Sequence, residues 1–187
     1  EKIELTLNTK GATVEKAVIK GFDDYKGNKE ITLFDGEDQK LSYTLSAKET
    51  NISTSDLYFV PSAVTDSTVT FTAEAAQGKS LTIEYRLGAD YMLHMKMYAE
   101  GMQGLFAPGT QTMDGNWKDK CRQQEKGFMF ENRYATLTYH NTDGGTDYLS
   151  ETSAEEDEPT EEKTDWIAFK NQFFSAVMIA KDDFDKG

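Results

Sequence analysis

Residues 165–180, DWIAFKNQFFSAVMIA, decide how the chain folds, because almost nothing in them belongs on a surface. They follow the most water-loving part of the sequence, so the change from solvated loop to buried element is abrupt. Trp166 and Ala168 fall on one alternating face, Ile167 and Phe169 on the other. A strand apolar on both faces is covered on both sides, at the centre of a sheet with material packed above and below. A helix is also compatible, since Trp166, Phe169, Phe173, Val177 and Ala180 recur at steps of three and four. Aromatic and β-branched content favours the extended form and leaves the helical one open. Either way Trp166, Phe169, Phe173 and Phe174 are expected to be structural, each costing about 3–5 kcal/mol on truncation to alanine if buried.

Working outward, residues 151–165 hold Glu151, Glu155, Glu156, Asp157, Glu158, Glu161, Glu162 and Asp165 against Lys163 alone, a net of −7 within a formal charge of −13. The remaining −6 is ordinary for a soluble domain. No nucleic-acid partner is expected, because phosphate neutralisation needs clustered Lys and Arg. Anionic membrane surfaces would repel the acidic segment. That segment, at about 150–164, is expected to be a solvated loop inside the domain; docking of a basic partner is the less common use of such a run.

A chain of 187 residues suffices for one domain burying roughly 70% of its unfolded surface. A single, largely β domain over residues 1–187 is expected. The sequence begins at Glu1 without a methionine and stops at Asp183-Phe184-Asp185-Lys186-Gly187 without an evident structural ending, as expected of an excised or processed piece of something larger. No apolar run approaches the roughly 20 residues that cross a bilayer, so no direct membrane span is expected here. No signal peptide is recognisable. Cys121 is the sole cysteine, so no internal disulfide can form and the redox compartment stays open. Lys118, Lys120 and Arg122 give it the electropositive setting of a reactive thiolate, yet a solitary thiol in a polar connector is the expected role.

Short alternating segments bounded by turn residues recur along the rest of the chain, the pattern of an all-β domain. Ile3, Leu5 and Leu7 alternate with Glu4 and Thr6; Asn8-Thr9-Lys10-Gly11 turns the chain into a second strand over residues 12–20. Ile31 and Leu33, then Leu41, Tyr43 and Leu45, flank Asp35-Gly36-Glu37-Asp38 and predict a hairpin. Val69 and Phe71 open another alternation, continued by Leu81, Ile83, Tyr85 and Leu87 beyond Gln77-Gly78. Thr82, Glu84 and Arg86 lie opposite and predict one wet face. Gly88-Ala89-Asp90 closes a tight loop into the partner strand, residues 91–98. Leu137 and Tyr139 mark one more strand, ending near Asp143-Gly144-Gly145. Residues 46–66 and 101–132 resist assignment; the charged run 118–126 reads as a short helix or an ordered crossover.

Catalysis finds little support, and no catalytic, cofactor-binding or metal-binding residue is assigned. The chain has no Gly-x-Ser-x-Gly elbow, no phosphate-cradling Gly-x-x-x-x-Gly-Lys and no Cys-x-x-Cys pair. His94 shares a strand face with Met92, Lys96 and Tyr98, and His140 closes a strand on the polar face with Thr136 and Thr138; neither has a ligand-spaced neighbour. Asp23-Asp24, Asp35-Gly36-Glu37-Asp38 and Asp182-Asp183 do not fit the twelve-residue calcium loop with its terminal glutamate and read as solvated turns. Met92, Met95, Met97, Met102 and Met113 cluster as in an adaptable apolar surface, although packing between strands explains Met95 and Met97 as well. Asn51-Ile52-Ser53 matches the glycosylation triplet at the level chance provides.

Three landmarks resemble the large periplasmic domain of the YidC-type membrane protein insertases of Gram-negative bacteria. Leu5-Thr6-Leu7-Asn8-Thr9-Lys10-Gly11-Ala12-Thr13-Val14-Glu15-Lys16-Ala17 is similar to that family's opening strand, Asn-Thr-x-Gly turn and second strand. Tyr85-Arg86-Leu87-Gly88-Ala89-Asp90-Tyr91-Met92-Leu93 resembles its strand, Gly-Asp-Tyr turn and return strand, with Ala89 inserted between Gly and Asp. Asp165-Trp166-Ile167-Ala168-Phe169-Lys170-Asn171-Gln172-Phe173-Phe174-Ser175-Ala176 is similar to its Trp-hydrophobic-Ala segment followed by Gln-aromatic-Phe. Residues 101–164 match poorly.

The resemblance implies an all-β, twisted antiparallel β-supersandwich of the galactose-mutarotase type, incomplete at its C-terminus and leaving an exposed sheet edge there. It also favours strands over a helix at Trp166. It implies a non-catalytic periplasmic accessory domain of an inner-membrane insertase, with Sec translocon components and nascent membrane proteins as partners of the full-length protein and no cofactor. A carbohydrate-binding or mutarotase-like domain on the same fold is the alternative. Mutarotase chemistry would need His94 and His140 to converge with a carboxylate on a sugar ring. A stand-alone adhesion or scaffold domain is a third reading.

Overall fold

The computed structural model describes residues 2–157 and 162–185. Two compact units emerge, one from residues up to Phe22 with Lys29–Lys120, the other from Asp23–Asn28 with residues from Cys121 onward. The regular structure of each is nearly all antiparallel strand, so the all-β expectation holds.

In the first unit the strands are β1 (Ile3–Asn8), β2 (Thr13–Lys20), β3 (Glu30–Asp35), β4 (Gln39–Leu45), β5 (Ile52–Ser53), β6 (Val60–Ser62), β7 (Thr68–Ala76), β8 (Lys79–Leu87), β9 (Leu93–Glu100) and β10 (Asp114–Asp119). They form three sheets with the orders β1-β2-β3, β10-β4-β5 and β6-β7-β8-β9. The turn after β1 forms as expected, with the Asn8 side chain accepting the Lys10 amide at 2.9 Å. The loop 88–92 closes β8 onto its expected partner, with Leu87 opposite Leu93, although β9 begins at Leu93 rather than Tyr91.

The hairpin expected around Asp35-Gly36-Glu37-Asp38 does not form, because β3 and β4 belong to different sheets. A single 3-10 turn, Gly36–Asp38, takes its place, and the Asp38 carboxylate accepts the Asp35 amide at 3.3 Å. Gly36 at φ 60° redirects the chain round a corner rather than back on itself. The expected wet face of β8 is only partly wet: Thr82 is buried, Glu84 half-buried and Arg86 exposed.

The core of this unit lies against the central strands β7 and β8. Ile83, Phe71, Leu81 and Tyr85 project from one face and meet Ala12, Leu45, Phe59 and Met102. The Phe71 and Tyr85 rings meet edge to face, 6.3 Å apart at 81°, a favoured aromatic geometry. The buried Tyr85 hydroxyl donates to the Ala12 carbonyl at 2.8 Å and so fastens the β1–β2 turn to β8. Met102 is core and Met97 packs against it, while Met95 stays at the surface. Gly101, at φ 63°, lets β9 end hard against the β7–β8 turn; a Cβ there would sit 2.0 Å from the Gly78 carbonyl oxygen.

The charged run 118–126 begins as strand rather than helix: Lys118 and Asp119 end β10, opposite Lys40 and Gln39 of β4. Asp119 ends with its Oδ1 buried and without a hydrogen-bond partner among the described residues. Burial, followed by repulsion from Asp38, pushes its carboxyl up to about 6. The folded state therefore holds that proton more tightly than the unfolded chain, so stability falls as pH rises from about 4 to about 6 and stays reduced above. Asp119→Asn should raise stability at pH 7.5 by about 1 kcal/mol, the two-unit shift being discounted because the group is partly solvated. Urea melts at pH 7.5 and pH 4 check this; the gain should vanish at the lower pH.

The second unit holds the short helix α1 (Phe128–Asn132) and one sheet of β11 (Thr136–Asn141), β12 (Gly145–Tyr148), β13 (Thr164–Lys170) and β14 (Ser175–Phe184), ordered β12-β11-β13-β14. The apolar stretch 165–180 is thus extended, but as a hairpin rather than one doubly covered strand. Its first half, β13, lies inside the sheet between β11 and β14; its second half, β14, is an edge. Asn171 causes the break, since its side-chain oxygen accepts the amides of Phe173 and Phe174, both at 2.8 Å. Phe173 consequently sits on the turn, 47% exposed, contrary to its expected burial, and Val177 and Ile179 face outward at 48% and 57%. Ala168 is the buried hydrophobic side chain of this unit among the described residues.

Polar groups organise much of the rest of this unit. Glu131 on α1 is 4% exposed, and its carboxylate accepts the Gln124 amide at 2.8 and 2.9 Å and the Glu125 amide at 2.9 Å. The acidic segment is less free than a solvated loop. Glu151 pairs with Lys170 at 3.3 Å, Glu155 takes the Ser150 amide, and Asp157 accepts the Tyr139 hydroxyl at 2.8 Å. That last bond pushes the Tyr139 phenol up to about 12. Glu158 and Glu161 lie outside the described residues.

Candidate functional site

The first unit contains a cleft of about 850 Å³. Its floor is the inner face of the larger sheet, where Val69 and Phe71 of β7, Tyr85 and Leu87 of β8 and Leu93 of β9 present apolar side chains. One wall is β1. Ile3, Leu5 and Leu7 line it, as alternation dictates, but so do Lys2 before them and Glu4 between them. Consecutive residues of a strand border one space only where that space runs along the strand's edge. The mouth is formed by the turn 64–68 and by the β8–β9 loop with Gly88, Ala89 and Tyr91.

The mouth is rigidly made. The Thr65 and Thr68 hydroxyls bond each other at 2.7 Å, and Thr65 Oγ1 accepts the Thr68 and Ser67 amides at 3.0 and 3.3 Å. Opposite, Gly88 donates its amide to the Met92 carbonyl at 2.7 Å. Tyr91 is held there at φ 68°, a left-handed conformation that costs a bulky residue of order 1–3 kcal/mol and concentrates at functional sites. The Lys2 ammonium stands 5.5 Å from the Tyr91 ring centre.

Charge at the cleft is sparse, confined to Lys2, Glu4 and Asp66. The bond and charge of Lys20, 2.5 Å away, hold the Glu4 carboxyl below its usual range. Burial pushes the Tyr85 phenol far up, so it stays neutral at physiological pH. The hydroxyls of Thr65 and Thr68 are spent on their own turn. No histidine or cysteine lines the cleft, and its carboxylates are Glu4 and Asp66.

The two histidines belong to different units. His94 is exposed on β9 opposite Arg86, one residue from Leu93 and therefore on the face turned from the cleft. His140, in the second unit, bonds Asp165 through Nδ1 at 2.8 Å and stacks on Trp166, with ring centres 5.9 Å apart and planes at 10°. A register shift beside Asn141 and another beside Trp166 aim the Asp165 carboxylate at the ring. Sequence reasoning missed this pair, because 25 residues separate its members. Among the described residues no hydroxyl or thiol bonds the imidazole.

No three of the described His, Cys, Asp and Glu side chains are grouped to hold a metal. Asp24 spends its carboxylate on the amides of Lys26 and Asn28 and on the Asn28 side chain. No helix among the described residues is long and apolar enough to cross a membrane. Cys121 is half-buried, between β10 and α1 in sequence.

Known proteins share this sequence pattern. A family model described as the YidC periplasmic domain matches residues 1–186. The membrane protein insertase YidC of Phocaeicola vulgatus is 43% identical over 185 residues, 98% of this chain and 30% of that protein. Those of Bacteroides fragilis and Porphyromonas gingivalis are 38% and 30% identical, again across 98% of this chain and 30% of their own length. The chain thus spans about a third of the length of these relatives. No solved structure matches it. A family match over residues 1–186, enclosing every strand from β1 to β14, together with relatives 30–43% identical across 98% of the chain, settles its membership: the chain belongs to the YidC periplasmic domain family.

Proposed function

We propose that the chain forms one β-sandwich domain on the periplasmic side of a membrane protein insertase and works there by protein contact, without covalent chemistry. The observation that carries this reading is the cleft itself, bordered by an ordered turn and floored by the apolar side chains of Val69, Phe71, Leu87 and Leu93. Relatives that are membrane protein insertases support it. The partners are nascent inner-membrane proteins, with Sec translocon components beside them. Moving a segment into lipid needs a path among membrane-crossing helices, so this domain's share is to hold or orient the chain being inserted.

The test removes residues 1–187 from a full-length parent and follows insertion of a panel of inner-membrane substrates. Insertion should slow several-fold without stopping, and the isolated chain should show no sugar epimerase turnover. Unchanged insertion across the panel would defeat the proposal, as would epimerase turnover abolished by His94→Ala.

A further inference from the structure

The orientation of β1 supplies more than an apolar wall. Lys20 donates its amide to the Lys2 carbonyl at 2.9 Å, which makes Lys2 and Lys20 a hydrogen-bonded pair of the β1–β2 ladder. Pairs alternate along β1, and the register shift between Thr6 and Leu7 places its extra residue on β2 rather than β1, so Glu4 and Thr6 also bond to β2 while Ile3, Leu5 and Leu7 turn their N–H and C=O groups away from it. β1 is an edge of its sheet, so no strand among the described residues meets those groups there.

Further along the same edge the molecule already shows what fits. Thr9 accepts the Phe59 amide and Gly11 donates to the Leu57 carbonyl, both at 2.9 Å, with Lys10 bridged antiparallel to Tyr58. After Phe59 the chain leaves this edge, and β6 pairs with β7 instead. The edge from Leu7 back to Ile3 is left open, and the cleft is the space beside it.

We infer that an extended, apolar polypeptide segment adds to the free edge of β1 within the cleft, antiparallel to β1 and in line with Leu57–Phe59. This rests on the insertase reading and names the chemistry its cleft selects. Three outward N–H groups alternating with three C=O groups are matched by an extended backbone, which carries both at the same spacing. Residues of the guest bonded to Ile3, Leu5 and Leu7 share their face and point at Val69 and Phe71. Every second guest residue is therefore apolar, and proline is excluded at those positions. Glu4 offers little repulsion to such a segment, being paired with Lys20.

The probe is an end-capped octapeptide alternating valine and threonine, added to the 187-residue chain while amide exchange is followed by NMR. Amides of Ile3, Leu5 and Leu7 should exchange at least about ten-fold more slowly at saturation, with Glu4 and Thr6 unchanged. N-methylating the valines, which keeps their side chains and removes their donors, should abolish that protection. Leu5→Pro should lose binding, since it removes an outward donor not used by β2, whereas Leu5→Ala should keep most of it. The inference falls if the peptide fails to bind at millimolar concentration, if it binds without protecting these amides, or if the N-methylated peptide binds equally. It falls too if a dodecyl detergent monomer occupies the cleft in preference to the peptide. Slowed insertion on removing the domain, together with unprotected amides, would leave the insertase reading standing and remove strand addition alone.

Discussion

Replacing Phe71 by alanine should lower the unfolding free energy by about 3–5 kcal/mol, while the same change at Phe173 should cost less than about 1 kcal/mol. The contrast follows from burial alone: Phe71 is 3% exposed on the central strand of the larger sheet, and Phe173 is 47% exposed on a turn. Phe71 also loses its edge-to-face contact with Tyr85. Denaturant unfolding read by intrinsic fluorescence separates the units, since Trp117 lies in the first and Trp166 in the second. Equal costs at the two positions would mean that the apolar tail, not the β7–β8 face, anchors the fold.

The second large effect belongs to Glu131. Its carboxylate is the acceptor for the buried amide of Gln124 and the part-buried amide of Glu125, and it fixes the segment leading into α1. Glu131→Ala strips those donors of their acceptor with little room for water, at a cost of about 2–4 kcal/mol. Glu131→Gln should recover part of this, because one oxygen remains to accept while the new NH2 faces a donor. Thermal melts followed at Trp166 give both values; an alanine variant as stable as its parent would show that solvent replaces the carboxylate at no cost.

Much of the first unit was legible because its strands bury one face and wet the other. Ile3, Leu5 and Leu7 announced β1, and the Gly88-Ala89-Asp90 loop announced the β8–β9 hairpin. Reading failed where apolar character carried no direction. In 165–180 both strands and their turn lie inside one hydrophobic run, and only the polar triplet Lys170-Asn171-Gln172 marks the reversal. The corner at Asp35–Asp38 failed for another reason: turn residues are the same whether the chain reverses or changes sheet. The cleft was invisible because its distinctive wall is a strand edge, made of backbone groups that every residue carries. His140 with Asp165 depended on cross-strand register, which a one-residue slip would have undone.

Under the proposed function, the working surface of this domain is the β1 cleft. Photo-crosslinking in the full-length parent during insertion tests that most directly, with the reactive residue at Val69 on the cleft floor or at Arg86 on the opposite face of the sheet. A nascent membrane protein should crosslink from Val69 and not from Arg86. Equal yields from the two positions, or crosslinks from Arg86 alone, would contradict the cleft as the site of contact.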